Sequence, residues 1–223
     1  SWSTQSSVFA GEQKQTGQYL VVEMLSPLTA LSPSLWAAVT AYYNHADARS
    51  WRGYADVDGS LTGSRGDTQV DTWALRTRLD WENAWRTLGT DFSPYLDLSY
   101  VVARVAGFSE DTGSQSAYFR TSEQAVSEGR LGLNAEHQLT PMFSLLAGLE
   151  GVQRFNDARP DAVGVVAGSD FDVAVNGDER AWLHGSLGGA LTYSGSRLSL
   201  LLNTTTQGED PDSWVALAWH LSI

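Results

Sequence analysis

The chain contains no cysteine, and its 223 residues include only 14 basic residues against 26 acidic ones. Without cysteine, neither a disulfide framework nor a thiolate metal site is available. The formal net charge of −12 argues against nucleic acid as a partner, because neutralising phosphates requires a basic surface. Apolar runs are also short. The most apolar segments, residues 19–25 and 198–202, fall far below the roughly 20 residues of a membrane-spanning helix.

What the chain does contain is a repeated alternation of apolar and polar residues, which predicts about ten β-strands. The alternation is clearest over residues 72–85, where one face carries large apolar side chains and the other carries charged ones. Successive side chains of a strand point to opposite sides, so each strand can have one apolar and one polar face. The other predicted strands are residues 18–25, 35–44, 93–105, 124–139, 142–155, 181–193, 197–206 and 213–223, with a weaker one within residues 1–10.

The connections between these strands alternate in length. Residues 87–91, 138–141 and 193–197 are short turns, whereas residues 46–69, 107–122 and 156–180 are long polar loops. Residues 206–212 form a shorter member of the long class. Outer-membrane barrels have short periplasmic turns and long extracellular loops. Counting back from the C-terminus, every long connection falls at the same end, so we expect an all-β fold: a transmembrane antiparallel up-and-down β-barrel.

Charged residues of both signs occupy the polar faces of several predicted strands. A soluble barrel would need apolar side chains at those positions, whereas a membrane barrel has a polar interior. The pattern therefore predicts a water-filled lumen lined by Arg76, Arg78, Asp80, Glu82, Arg130, Glu136, Glu150 and Arg154. The opposite faces predict a lipid-facing surface that includes Trp73, Leu75, Leu79, Trp81, Leu131 and Leu133.

The chain stops on an apolar strand. Alternate residues of this last segment are large and apolar, and small or polar residues separate them. An apolar closing strand at the C-terminus is typical of bacterial outer-membrane barrels. We therefore predict that this strand carries the C-terminal assembly signal, formed by Val215, Leu217, Trp219, Leu221 and Ile223.

Several segments, taken in order, resemble the translocator β-domain of autotransporters, the type V secretion proteins of Gram-negative bacteria. The resemblance extends from about residue 17 to residue 223. The segments that carry it are SPYLDLSY at 93–100, VAGFSE at 105–110, LGLNAE at 131–136, TPMFSLLAGL at 140–149, DERAWLHGSLGG at 178–189 and VALAWHLSI at 215–223. It implies a monomeric 12-stranded barrel in the outer membrane, with a helix through its pore, extracellular loops and a periplasmic C-terminus.

The same resemblance implies the partners and the function. An N-terminal passenger would be exported or anchored at the cell surface, the barrel assembly machinery would assist folding, and outer-membrane lipid and lipopolysaccharide would surround the barrel. We expect residues 1–223 to form this one domain, with residues 1–16 poorly patterned and with the plug helix and passenger absent. The alternative is a stand-alone outer-membrane protein, either a small-solute channel or an omptin-like protease. A soluble β-sandwich binding module is a third candidate.

No arrangement of residues predicts catalysis, a cofactor or a metal site, and we expect the chain not to be an enzyme. His45, Asp47 and His184 would be the candidates for an omptin-like site, although solvated histidines are the simpler explanation. Residues 56–59 lack the later glutamate of a Ca²⁺ loop and are predicted to be an acidic turn. Residues 65–67 spell the integrin-recognition tripeptide Arg-Gly-Asp in a predicted external loop, where chance occurrence is the simpler explanation.

Overall fold

The computed structural model describes residues 2–6, 11–55, 59–111, 115–156, 161–174, 180–207 and 211–221. Within this part of the chain, no helix has the length and apolar composition to cross a membrane. The strands are β1 (Trp2–Ser6), β2 (Gly11–Pro27), β3 (Leu35–Ala55), β4 (Leu61–Trp81), β5 (Trp85–Thr87), β6 (Thr90–Val105), β7 (Phe108–Ser109), β8 (Ala117–Phe119), β9 (Ser122–Gln138), β10 (Phe143–Arg154), β11 (Asp161–Val166), β12 (Ser169–Ala174), β13 (Ala181–Tyr193), β14 (Ser196–Thr205) and β15 (Ser213–Leu221).

The main sheet contains ten strands in the order β1-β2-β3-β4-β6-β9-β10-β13-β14-β15, with β5 added beside β6. Each strand pairs antiparallel with its neighbours, so the chain runs up and down through the sheet. The sheet is strongly curled, as in half of a barrel. The predicted all-β, antiparallel, up-and-down architecture of about ten strands is confirmed.

Tight turns close the hairpins at several points. Ser194 and Gly195 connect β13 to β14, and both have positive φ values, of 47° and 77°. Leu88 and Gly89 connect β5 to β6 in the same way, with values of 51° and 78°. Two successive residues with positive φ define the turn whose twist matches that of a two-stranded hairpin. The tight turns and the remaining short connection, between β9 and β10, agree with the short turns predicted at one end of the sheet.

The strand boundaries around residues 46–85 differ from the prediction. The strand predicted over residues 72–85 begins at Leu61 and ends at Trp81, because Asn83 adopts a positive φ of 46° in a turn. The predicted loop 46–69 is wrong, since β3 continues to Ala55 and pairs with β4 throughout. Residues 65–67 therefore lie within a strand. Residues 56–58, the predicted acidic turn, lie outside the described residues.

A second sheet occupies two other predicted loops. Its order is β12-β11-β8-β7, so strands from residues 107–122 pair with strands from residues 156–180. Three aromatic rings lie together on it: Phe108 stacks on Phe119 at 4.8 Å between ring centroids, and Phe119 meets the edge of Phe171 at 5.5 Å. These connections are therefore folded structure at the long-loop end of the barrel sheet.

Burial in the main sheet is opposite to that of a soluble protein. Large apolar side chains such as Leu131 and Leu217 are 67% and 69% exposed. Buried positions include polar and charged ones, among them Asp97, Glu150 and Asn203. A single curled layer can shield side chains only on its concave side. The face that carries these buried polar residues is therefore the concave one, called here the inner face; the opposite face is the outer face.

Candidate functional site

The inner face of β4 and β6 carries a cluster of paired charges. Arg76 lies opposite Ser99 in the strand register, and its Nε donates to Asp97 Oδ2 at 2.7 Å. Arg78 donates to Asp80 at 2.7–2.9 Å, and its Nη1 lies 3.7 Å from Asp97 Oδ2. The Asp97 side chain is only 2% exposed. A buried carboxylate needs such charge-assisted hydrogen bonds to offset its lost hydration.

Tyr95 joins this cluster to the next strands. Its ring lies under the Arg78 guanidinium, 4.0 Å from the ring centroid, and its hydroxyl donates to Glu150 Oε2 at 2.5 Å. Glu150 is also buried, and its other oxygen accepts from Arg130 Nη1 at 3.0 Å. These contacts connect β4, β6, β9 and β10 through side chains that all lie on the inner face.

Glu128 extends the network toward the long-loop end. It accepts from Arg130 at 3.2 Å and from Arg154 at 2.9–3.1 Å. The Arg154 guanidinium also lies 5.3 Å from the centroid of a Trp182 ring. Toward the short-turn end, both oxygens of Glu136 accept from Arg197, at 2.8 and 3.0 Å. The inner face therefore carries arginine and carboxylate side chains that neutralise one another.

Seven of the eight residues predicted to line a lumen lie on the inner face of the sheet and take part in these ion pairs. The eighth, Glu82, lies in the turn after β4, where it is exposed. Tyr95, Asp97 and Arg197 were not among the predicted lumen residues. A signal for the first two was present, since residues 91, 93, 95, 97 and 99 are all polar or aromatic and alternate with Phe92, Leu96 and Leu98 on the other side. A similar signal was present for Arg197, since residues 197, 199, 203 and 205 are polar and alternate with Leu198, Leu200 and Leu202.

The outer face carries the predicted lipid-facing residues. Trp73, Leu75, Leu79, Trp81 and Leu131 are exposed, whereas Leu133 is half-buried. The four described residues of the predicted C-terminal signal, Val215, Leu217, Trp219 and Leu221, are also exposed on β15. Ile223 lies outside the described residues. No second layer covers these side chains in the part of the chain that the structure describes.

Aromatic side chains mark two levels on this outer face. Trp73 packs against Tyr100 with ring centroids 5.4 Å apart, and Trp85 stacks on Phe92 at the same distance near the short-turn end. Along β4, Trp73 and Trp81 are eight residues apart, or about 26 Å at about 3.3 Å per residue. A strand tilt of about 40° reduces this to a height of about 20 Å, close to the ~25 Å apolar band of membrane barrels.

The candidate residues for an omptin-like site do not meet. His45 lies on the outer face beyond Trp73, where its Nδ1 is 2.7 Å from Asp71 Oδ1. This hydrogen bond raises the pKa of His45 and lowers that of Asp71. His184 lies on the inner face, stacked on Trp214 at 5.1 Å and with its Nδ1 3.7 Å from Glu150. The two histidines are therefore on opposite sides of the sheet.

Comparisons with known proteins agree with this geometry. The family model described as "Autotransporter beta-domain" matches residues 16–205. The chain is also similar to the "Uncharacterized protein in trpE-trpG intergenic region" of Pseudomonas putida, with 26% identity over 128 residues. That match covers 56% of this chain and 22% of the relative, so the chain spans less than a quarter of the relative's length.

Proposed function

The chain belongs to the autotransporter β-domain family of the Gram-negative outer membrane, and from that premise we propose that it exports or anchors an N-terminal passenger at the cell surface. Translocators of this family are generally not catalytic. We assign residues 1–223 to the translocator domain and propose that the passenger is its transported partner. We further propose that the loops are extracellular and that the C-terminus is periplasmic.

The neutralised inner face is the observation that carries this proposal. An unfolded passenger presents apolar, acidic and basic side chains in turn, so a wall of unpaired charge would hold some of them. Pairs such as Arg76 with Asp97 and Arg197 with Glu136 leave a polar wall of little net charge. Charged residues of the passenger find no isolated counter-ion at these pairs. A chain can therefore slide past this wall.

The outer face supports the membrane part of the proposal. Its apolar residues lie between the two aromatic levels, where they would contact lipid tails. Tryptophan and tyrosine side chains favour the membrane–water interface because one end of the ring is apolar and the other is polar. We propose that lipopolysaccharide surrounds the level of Trp73 and Tyr100. The barrel assembly machinery would recognise the apolar side of β15.

The test uses the full-length protein with an epitope tag in the passenger, expressed in Gram-negative cells. Leu217→Arg places a charge on the apolar side of β15, whereas Ala216→Ser changes the neighbouring inner-face position. We expect surface protease to remove the tag from wild-type and Ala216→Ser cells. Leu217→Arg cells should show neither a heat-modifiable barrel nor surface tag. A fully assembled wild-type barrel whose tag stays protected from protease would refute export.

A further inference from the structure

The second sheet rests against the part of β3 and β4 that extends beyond the membrane band. We call the strands β7, β8, β11 and β12 the cap, and residues 46–55 with 61–70 the outer hairpin. The outer hairpin is a two-stranded continuation of the barrel wall, paired in register from Ala46 with Val70 to Ala55 with Leu61. The cap joins segments that leave four different barrel strands, namely β6, β9, β10 and β13.

An ion pair between a half-buried arginine and a buried glutamate holds the cap to the outer hairpin. Arg52 donates through Nε and Nη2 to the two oxygens of Glu110, at 3.0 and 2.7 Å. Its Nη2 also donates to the carbonyl oxygen of Gln115 at 2.8 Å. The Glu110 side chain is 2% exposed, and its Oε2 accepts from the Ala117 amide at 2.9 Å. Two parallel hydrogen bonds to a buried carboxylate make this contact specific in direction as well as strong.

An aromatic contact lies beside the ion pair. The Phe108 ring covers Gly66 of the outer hairpin so closely that a Cβ at Gly66 would overlap the ring. On its other side the ring stacks on Phe119 of the cap. Nearby, the Tyr54 hydroxyl lies 3.1 Å from the fully buried Ser64 Oγ. The contact is therefore a packed interface and not a chance approach of two loops.

The face of the outer hairpin that contacts the cap shows where the cap lies. Gly66 is ten residues from Arg76 on the same strand, an even number, so both point to the same face. Arg52 lies opposite Ser64 in the register and shares that face. The side-chain contacts of the ion pair and the aromatic ring therefore come from the inner face. The cap leans over the axis of the curled sheet.

We propose that the cap is a closure over the external mouth of the barrel, held shut by Arg52 with Glu110 and by Phe108 over Gly66. This inference rests on the proposed translocator function, because it requires a lumen that opens at this end. The cap must swing away from the outer hairpin before a polypeptide can leave the lumen, and it seals the pore once export is complete.

Thiol labelling tests the closure, since the natural chain has no cysteine. Ser99→Cys places a single thiol on the inner face, between Arg76 and Glu128 in the register. The full-length protein is labelled on porin-deficient cells with a small maleimide that does not cross membranes. Glu110→Gln and Phe108→Ala loosen the cap. Asp170→Asn is the matched control, because its exposed ion pair with Arg120 lies within the cap.

We expect Glu110→Gln to raise the labelling rate of the thiol at position 99 about tenfold or more, since losing a charge-assisted pair shifts an equilibrium by at least this factor. Asp170→Asn should leave the rate unchanged, and a second reporter, Asp212→Cys, should be labelled rapidly in every background. Equal labelling rates at position 99 with and without the cap variants would overturn the closure. Labelling of the folded protein in detergent separates the two proposals. If position 99 is labelled in detergent but in no variant on cells, the cap proposal alone is refuted. If position 99 is not labelled in detergent, the water-filled lumen is refuted.

Discussion

An arginine at the middle of the outer face should strongly oppose insertion, and Leu98 is the position at which this is best tested. Leu98 lies opposite Thr77, midway between Trp73 and Trp81 on β4. With the aromatic levels about 20 Å apart, Leu98 lies about 10 Å from each interface. An arginine on the lipid face at the midplane costs about 2–4 kcal/mol. Leu98→Arg should therefore lower the folding equilibrium in lipid by about thirtyfold to several hundredfold.

The neighbouring residue provides the matched control. Ser99 lies on the inner face of the same strand, opposite Glu128, which can pair with a new cation. Ser99→Arg should cost under about 1 kcal/mol, because its charge meets a polar surface and water. Urea titration of folding into lipid vesicles, read by heat-modifiable gel mobility, measures both variants. If Leu98→Arg folded as well as wild type while Ser99→Arg did not, the two faces would be assigned the wrong way round.

Two further predictions concern packing and pH. The Tyr95 ring occupies the space of a side chain at Gly132, so Gly132→Ala should destabilise the barrel by about 1–3 kcal/mol. At Gly151 a Cβ meets only Leu183, at 3.9 Å, so Gly151→Ala should stabilise the barrel by a few tenths of a kcal/mol. Urea titration measures both variants, and equal effects of the two substitutions would contradict the packing argument. Asp71 raises the pKa of His45 above 6.5, so their contact contributes stability below pH 6.5 that is lost as pH rises through the folded-state value. NMR titration should show that Asp71→Asn lowers the His45 pKa toward 6.5, and an unchanged value would exclude this contact.

Which residues of a strand share a face could be predicted from the sequence, because side chains alternate sides at every second residue. Trp73, Leu75 and Leu79 share the outer face, as their spacing predicts, and their contact with lipid stays a prediction. The boundaries of β3 and β4 were not predictable in the same way. Beyond the aromatic level the outer face of the outer hairpin is polar, as the exposed pair of Arg49 and Asp67 illustrates, and its inner face packs against the cap. The alternation of apolar and polar residues along β3 and β4 therefore ends before these strands do.

The cap and the ion-pair partners depend on distant pairings that a single sequence does not encode locally. The cap pairs Ala117 with Val166, which are 49 residues apart, and no periodic pattern links the two. The partner of Arg76 follows from the register between β4 and β6. That register places Asp97 diagonally across from Arg76, and a shift of one residue would turn every β6 side chain to the other face.

The burial of Asp97 explains why strand register and a polar lumen belong together in this barrel. A carboxylate that is 2% exposed is costly unless its arginine partners stand in the right place. The observed register between β4 and β6 brings Arg76 to hydrogen-bonding distance of Asp97 and Arg78 within 3.7 Å. A slip of one residue would turn the carboxylate toward lipid, and a slip of two residues in one direction would place it opposite Asp80. The inner-face charges therefore disfavour these slipped pairings, while the outer-face side chains face the same lipid in any even-numbered slip and do not discriminate against it.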